Sequence, residues 1–294
     1  MRYRRDGGTL MPIAFEKVSY PYSPKTPFEY QALKNIDLAI ELNKVSAIIG
    51  ATGSGKSTLV QHLNGLLLPS SGTVLVLDRE IKANEKTKDL KSLRQRVGLV
   101  FQFPEYQLFE ETILKDVKFG PLNFKKDEQA AQEKAMNALK QVGLDESYYE
   151  RSPLDLSGGQ KRRVAIAGIL AIEPDVLVLD EPTAGLDPQG AQAMMDLFVR
   201  LNKEYGKTIL IVTHDMDQVL NYCENVIVLK KGEVITHQKT LDFFEKDFGV
   251  KEIEMALPQR LRIIDALRDG GFKLDGAIKS WEDLARAVKK EIGQ

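Results

Sequence analysis

The chain has 294 residues, and its 41 Lys and Arg nearly match its 42 Asp and Glu, leaving a formal net charge of -1. With 43% hydrophobic and 28% charged residues it is not a disordered chain, and the near-neutral balance lacks the basic excess of a nucleic-acid binder. A single cysteine, Cys223, excludes an internal disulfide and fits a reducing compartment, and no apolar run approaches the roughly 18 residues of a membrane span.

The start is basic, with Arg2, Arg4 and Arg5, but no apolar segment of signal-peptide length follows. Met11 is expected to be the more natural start, with residues 1–10 a leader or a cloning remnant. Short apolar runs at 13–15, 36–40 and 45–49 predict strands, with a proline-rich turn at 21–27. Further strands are expected at 73–77 and 97–101. Residues 105–155 change character, and 127–142 carry apolar positions at helical spacing. Two unbroken apolar runs, 176–179 and 209–212, read as parallel strands buried on both faces. Lys231-Gly232 sits between apolar runs and predicts a hairpin. Beyond 240, Pro258 opens a helix with Leu261, Ile264 and Leu267 on one face, stopped by Gly270-Gly271. Ser280 and Asp283 have capping-box spacing for a last helix.

Gly50-Ala51-Thr52-Gly53-Ser54-Gly55-Lys56-Ser57-Thr58 fits G-x-x-x-x-G-K-[ST], with a strand before it and a helical pattern after it. Glycines let the backbone curl so that N–H groups converge on a phosphate, and the helix N-terminus adds positive potential. Lys56 is expected to bridge β- and γ-phosphate oxygens, and Ser57 to offer its hydroxyl to Mg²⁺. Asp180-Glu181 ends the first buried strand, at the edge where open α/β sheets gather ligands. Asp180 is placed to hold Mg²⁺, and Glu181 to deprotonate an attacking water. His214 ends the second buried strand, where a γ-phosphate contact is needed, whereas His62 and His237 read as structural.

Ser157-Gly158-Gly159-Gln160 opens another helix and forms a second anion site. Two such sites over-supply one nucleotide, so the economical arrangement is a head-to-tail pair in which each Ser157 loop closes on the partner's ATP. Lys161-Arg162-Arg163 then reads as a basic first turn near phosphate.

Taken in order, residues 50–58, Gln102, 156–160, Asp180-Glu181, Gly185-Leu186-Asp187 and His214 resemble the Walker A, Q-loop, signature, Walker B, D-loop and H-loop of ABC-type ATPases. The resemblance spans about residues 12–240. It implies an α/β P-loop NTPase core with a mostly parallel sheet. An N-terminal antiparallel β subdomain and a helical subdomain at about 105–165, between Q-loop and signature, complete residues 11–240. Residues 241–294 read as a small C-terminal helical appendage. Tyr22 is implied as the aromatic stacked on adenine, Gln102 as a Mg²⁺-reaching coupling residue, and Asp187 as part of the dimer seam. Ser157 and Gly159 are implied to contact the γ-phosphate across that dimer.

Phe103-Pro104-Glu105 and Gly120-Pro121, in their surroundings, resemble the second ATPase subunit of energy-coupling factor (cobalt/vitamin) importers. That likeness implies ATP and Mg²⁺ as ligands, work at the cytoplasmic face of the membrane, and a role in dimerisation for the appendage at 241–294. The implied partners are a second ATPase (a heterodimer favoured, a homodimer possible), a transmembrane T component and a substrate-binding S component, with no nucleic acid. Glu105, Glu110 and Glu111 are candidates to pair with basic residues of the membrane partner. The competing readings are the ATPase of another ABC importer or exporter, and a soluble ABC protein acting on nucleic acid or ribosomes.

Overall fold

The computed structural model describes residues 13–83, 85, 89–245, 255–274, 278 and 280–293, so the expected leader at 1–10 lies outside the described residues. The chain begins with β1 (Ile13–Tyr22), β2 (Tyr30–Ile40), β3 (Val45–Ile49) and α1 (Lys56–Leu63). Then come β4 (Ser71–Val76), β5 (Arg79–Lys82), α2 (Leu90–Arg96) and β6 (Val97–Val100). A helical stretch follows: α3 (Ile113–Phe124), α4 (Glu128–Gln141) and α5 (Gly158–Leu170). The chain returns to alternation with β7 (Val176–Asp180), α6 (Pro188–Tyr205), β8 (Thr208–Val212), α7 (Met216–Tyr222), β9 (Asn225–Lys230) and β10 (Glu233–Lys239). Among the described residues three helices follow: α8 (Thr240–Glu245), α9 (Gln259–Asp269) and α10 (Trp281–Glu291).

These strands make two sheets. One is four-stranded and antiparallel, in the order β2-β1-β4-β5; the other is six-stranded, in the order β10-β9-β3-β8-β7-β6. In the second, β9, β3, β8, β7 and β6 run parallel, and only β10 is antiparallel. The unbroken apolar runs are explained by side-chain alternation. On β7, Leu177 and Leu179 join one core with the helices α3 to α6, while Val176 and Val178 join the other with α1 and the antiparallel sheet. A strand covered on both faces has no polar side to show.

Helix starts follow local chemistry. Thr112, Asp127, Ser157, Asp187 and Asp215 each accept a backbone N–H at an N-terminus, and Ser157 and Gln160 form a reciprocal capping box. Ser280 and Asp283 form a second box at α10, as their spacing predicts. Ile264, Leu274 and Leu284 make a small separate cluster that includes α9 and α10. Phe243 of α8, by contrast, is fully buried in the main core.

One expectation is corrected. Pro21 and Tyr22 are not turn residues; β1 continues through both, and Tyr22 pairs with Tyr30. Pairing with β4 stops at Ser19–Ser71, so at Pro21 one side of β1 has no neighbour strand and the missing N–H breaks no ladder bond.

Candidate functional site

Parallel strands deliver their C-terminal ends to one edge. Ile48 and Asp180 both pair with Val212, so the chain past β3, β7 and β8 emerges along a single line. Glu181 N–H donates to Val212 O at 2.9 Å and Thr213 N–H to Ile48 O at 3.3 Å, which carries the alignment one residue beyond the strands. The phosphate-loop motif, Asp180-Glu181 and His214 therefore converge from three separate stretches of sequence.

The loop before α1 needs its glycines. A Cβ at Gly50 would lie 2.1 Å from Leu229 O, and one at Gly55, where φ is +105°, would lie 2.6 Å from Ala32 O. Ser54 and Thr58 are buried, and Ser54 Oγ has no hydrogen-bond partner among the described residues. Lys56 Nζ donates to Gly50 O at 2.8 Å and Ala51 O at 3.1 Å. Thr52 and Gly53 are exposed on the rim of the loop. They line a cleft of about 490 Å³ together with Tyr30, Gln31, Lys34 and Lys231.

Ser57 Oγ donates to Asp180 Oδ2 at 2.9 Å, and His214 Nδ1 lies 2.9 Å from Glu181 Oε1. Burial pushes the Lys56 ammonium below its ordinary value, against the opposing pull of Glu181 and Asp180. Burial likewise pushes Asp180 above the usual carboxylate value, although the Ser57 hydroxyl and the Lys56 charge act the other way. A polyanion beside Lys56 and a hard cation beside Asp180 are the ligands that favour both charged forms. Ser57 Oγ and Asp180 offer such a cation only oxygen, the donor set suited to Mg²⁺. Among the described residues no group of three or more His, Cys, Asp or Glu could hold a metal, so a cation here must draw further ligands from its substrate or water.

Tyr22 stands at the rim with Oη 3.2 Å from Thr58 Oγ1 and its ring edge-on to Tyr20. Tyr30 is a neighbour that sequence reasoning missed: its Oη donates to Gly53 O at 2.7 Å. The signal was an aromatic eight positions past Tyr22, which places it opposite on the β1–β2 hairpin. His62, read as structural, is buried with Nδ1 2.7 Å from Thr58 O.

The remaining candidates stay apart. Gln102 is exposed and, among the described residues, makes no hydrogen bond to the cluster. Ser157 Oγ accepts from Gln160 N–H at 3.4 Å, Gln160 Nε2 donates to Tyr148 Oη at 3.2 Å, and Gly158 is exposed while Gly159 is partly so. Asp187 caps its own helix through Gly190 N–H at 2.7 Å. None of these bonds ties the Ser157 loop to the phosphate loop of the same chain.

Two electrostatic expectations are overturned. Arg162 is not part of a phosphate-facing basic turn; it is buried and paired with Glu105. Arg163 Nη1 donates to Val142 O at 2.7 Å. Glu105 is therefore committed inside the chain, whereas Glu111 stays exposed in a surface pair with Lys115 and its expectation is untouched.

Comparison with known proteins supplies the rest. Residues 33–184 match the family described as ABC transporter. The energy-coupling factor transporter ATP-binding protein EcfA2 of Spiroplasma kunkelii is 50% identical over 278 residues, 94% of this chain and 91% of that protein. Its namesake in Lactiplantibacillus plantarum is 49% identical over 282 residues, 96% of each. Among solved structures, cbiO1 of Clostridium perfringens, part of the ABC transporter complex cbiONQ, superposes with a TM-score of 0.73 at 42% identity, covering 87% of this chain and 98% of that one. The ATP-binding cassette MJ0796, solved as a dimer in a post-hydrolysis state bound to ADP and Pi, superposes with a TM-score of 0.67 at 33% identity, covering 78% and 98%.

Proposed function

The chain belongs to the ABC transporter family, among the ATP-binding proteins of energy-coupling factor transporters, and from that membership we propose how its residues divide the work of an ATP-driven importer. It binds and hydrolyses ATP. The observation that carries the reading is the convergence of Lys56, Ser57, Asp180, Glu181 and His214 at one sheet edge.

In this reading the backbone N–H groups of residues 50–58 and the Lys56 ammonium hold the phosphates. Lys56 leaves the carbonyls of Gly50 and Ala51 to do so, exchanging neutral acceptors for charged ones. Ser57 Oγ, Asp180 and Gln102 would hold Mg²⁺, and that ion would supply charge neutralisation at the phosphates. Tyr22 stacks on the base. Glu181 takes the proton from the attacking water, and His214, through Nδ1, keeps that carboxylate aimed. Catalysis is mostly positioning and charge stabilisation in a site fixed beforehand.

The Ser157–Gln160 turn and Asp187 complete the site of a second ATPase chain, since within this chain their bonds remain local. That second chain is a sister subunit, giving a heterodimer; an identical copy gives the same geometry. Closure on ATP and opening after hydrolysis drive a transmembrane T component, with an S component binding a vitamin or metal ion as cargo. No helix among the described residues is long and apolar enough to cross a membrane; the chain docks on its membrane partners at the cytoplasmic face. Because Phe243 belongs to the main core, we draw the boundary of the helical appendage after residue 245, with α9 and α10 helping to hold the ATPase pair.

Glu181→Gln tests the assignment. It should abolish phosphate release, keep binding of a fluorescent ATP analogue, and trap an ATP-dependent dimer on size exclusion. Normal phosphate release from this variant overturns it.

A further inference from the structure

The least expected charge in the molecule is Arg162. Its side chain is 2% exposed, and it lies in the first two turns of α5, directly after the Ser157 turn. Burying a guanidinium is costly unless its donors are used, and here they are. Nε donates to Glu105 Oε2 at 3.0 Å and Nη2 to Glu105 Oε1 at 2.6 Å, a bidentate pair. Nη1 faces the other way and donates to Pro182 O at 3.1 Å and Ala184 O at 2.8 Å.

Those partners are not scattered. Glu105 lies in a short 3₁₀ turn, Pro104–Gln107, just past Gln102. Pro182 and Ala184 lie in the loop that starts at Glu181, and Ala184 N–H donates to Glu181 O at 3.2 Å. The same loop is held from its far side by Thr183 Oγ1, bonded to Gln218 of α7, just after His214. Phe103 lies at the same junction: its ring centroid is 5.7 Å from the Arg162 guanidinium carbon, and Gly185 passes near enough that an added Cβ would meet the ring at 3.4 Å. One side chain thus spans the turn after Gln102, the helix after the Ser157 turn, and the loop after Glu181.

We propose that Arg162 is a positioning residue for hydrolysis: it fixes the loop that carries Glu181 to the turn that follows Gln102, so that movement of that turn displaces the Glu181 backbone. This rests on the reading above that Glu181 activates the water. A buried ion pair kept only for stability can be replaced by apolar residues of similar size without loss. A rigid fork with two edges, one on a carboxylate and one on two carbonyls, cannot be reproduced by lysine, which has a single point charge.

The test compares Arg162→Lys, Glu105→Gln and the double variant in the full chain. Thermal unfolding, binding of fluorescent ATP and steady-state phosphate release are measured well below the melting temperature. The expected result is a kcat per folded molecule lowered about ten-fold or more in Arg162→Lys, with nucleotide affinity and KM within about two-fold of wild type. The double variant should be no slower than the slower single variant, because the two residues act as one unit. A lowered melting temperature with wild-type kcat per folded molecule overturns the proposal and leaves Arg162 a structural staple. Glu181→Gln run alongside separates the two claims: if that variant hydrolyses ATP normally, the assignment of the base has failed rather than the role of Arg162.

Discussion

His214 Nδ1 and Glu181 Oε1 lie 2.9 Å apart, although 33 residues separate them, because β7 and β8 are adjacent and in register to their last residues. The pair is lopsided: the imidazole side chain is 75% exposed and the carboxylate 17%. Glu181 also holds φ at 49°, in the left-handed region that a glutamate rarely occupies. A strained backbone fixes where the carboxylate starts, and the histidine fixes where it points.

His214→Ala should therefore lower kcat about 100-fold with little change in nucleotide affinity, since it removes aim rather than binding. Adding Glu181→Gln should cost little more than Glu181→Gln alone. Steady-state phosphate release with matched binding curves checks both statements. Multiplicative losses would mean that the two residues act independently.

Asp180 gives a prediction about stability and its pH dependence. Its native carboxyl is raised above the ordinary 3.8, chiefly by burial. The folded chain therefore holds that proton more tightly than the unfolded one. Stability from this group is full at low pH and declines as pH rises from 3.8 through the native value. Asp180→Asn removes the ionised form and keeps an acceptor for the Ser57 hydroxyl. It should raise the melting temperature at pH 7, by about 2–4 °C for each kcal/mol recovered, and the gain should vanish toward pH 3–4. Phosphate release should be lost. A variant less stable than wild type at pH 7 and equal to it at pH 3 reverses the sign and refutes the argument.

Much of this could be read from residue order, for physical reasons. The runs at 176–179 and 209–212 are apolar at every position because helices and the second sheet cover both faces. Phosphate-binding chemistry is local, so the proposal for residues 50–58 could be made without tertiary context. Pro21 misleads because proline signals a turn unless the strand is open on one side, and openness depends on where β4 stops pairing. The four-residue β5 has one buried residue, Ile81, too little to show a period. Arg162 misleads most. It looks like a member of a basic triplet, but α5 is packed nearly all round, and which of Lys161, Arg162 and Arg163 turns inward depends on Glu105, 57 residues away.

Tyr22 divides between two roles that point mutations separate. Its Oη bonds to Thr58 Oγ1 within the protein, while the residue as a whole is 39% exposed. If the ring carries the base, Tyr22→Phe keeps the stacking face and should leave ATP affinity within about three-fold, because a protein–protein hydrogen bond contributes only about 0.5–1.5 kcal/mol to stability and none directly to the ligand. Tyr22→Ala should weaken binding by about 1–3 kcal/mol, roughly five- to 150-fold in Kd, the range for an aromatic–base stack. Pyrophosphate, which has no base, should bind both variants as it binds wild type. Titration calorimetry with ATP and with pyrophosphate reads the difference directly. Equal losses for the two ligands in Tyr22→Ala would mean that the tyrosine braces Thr58 and α1 rather than meeting the nucleotide.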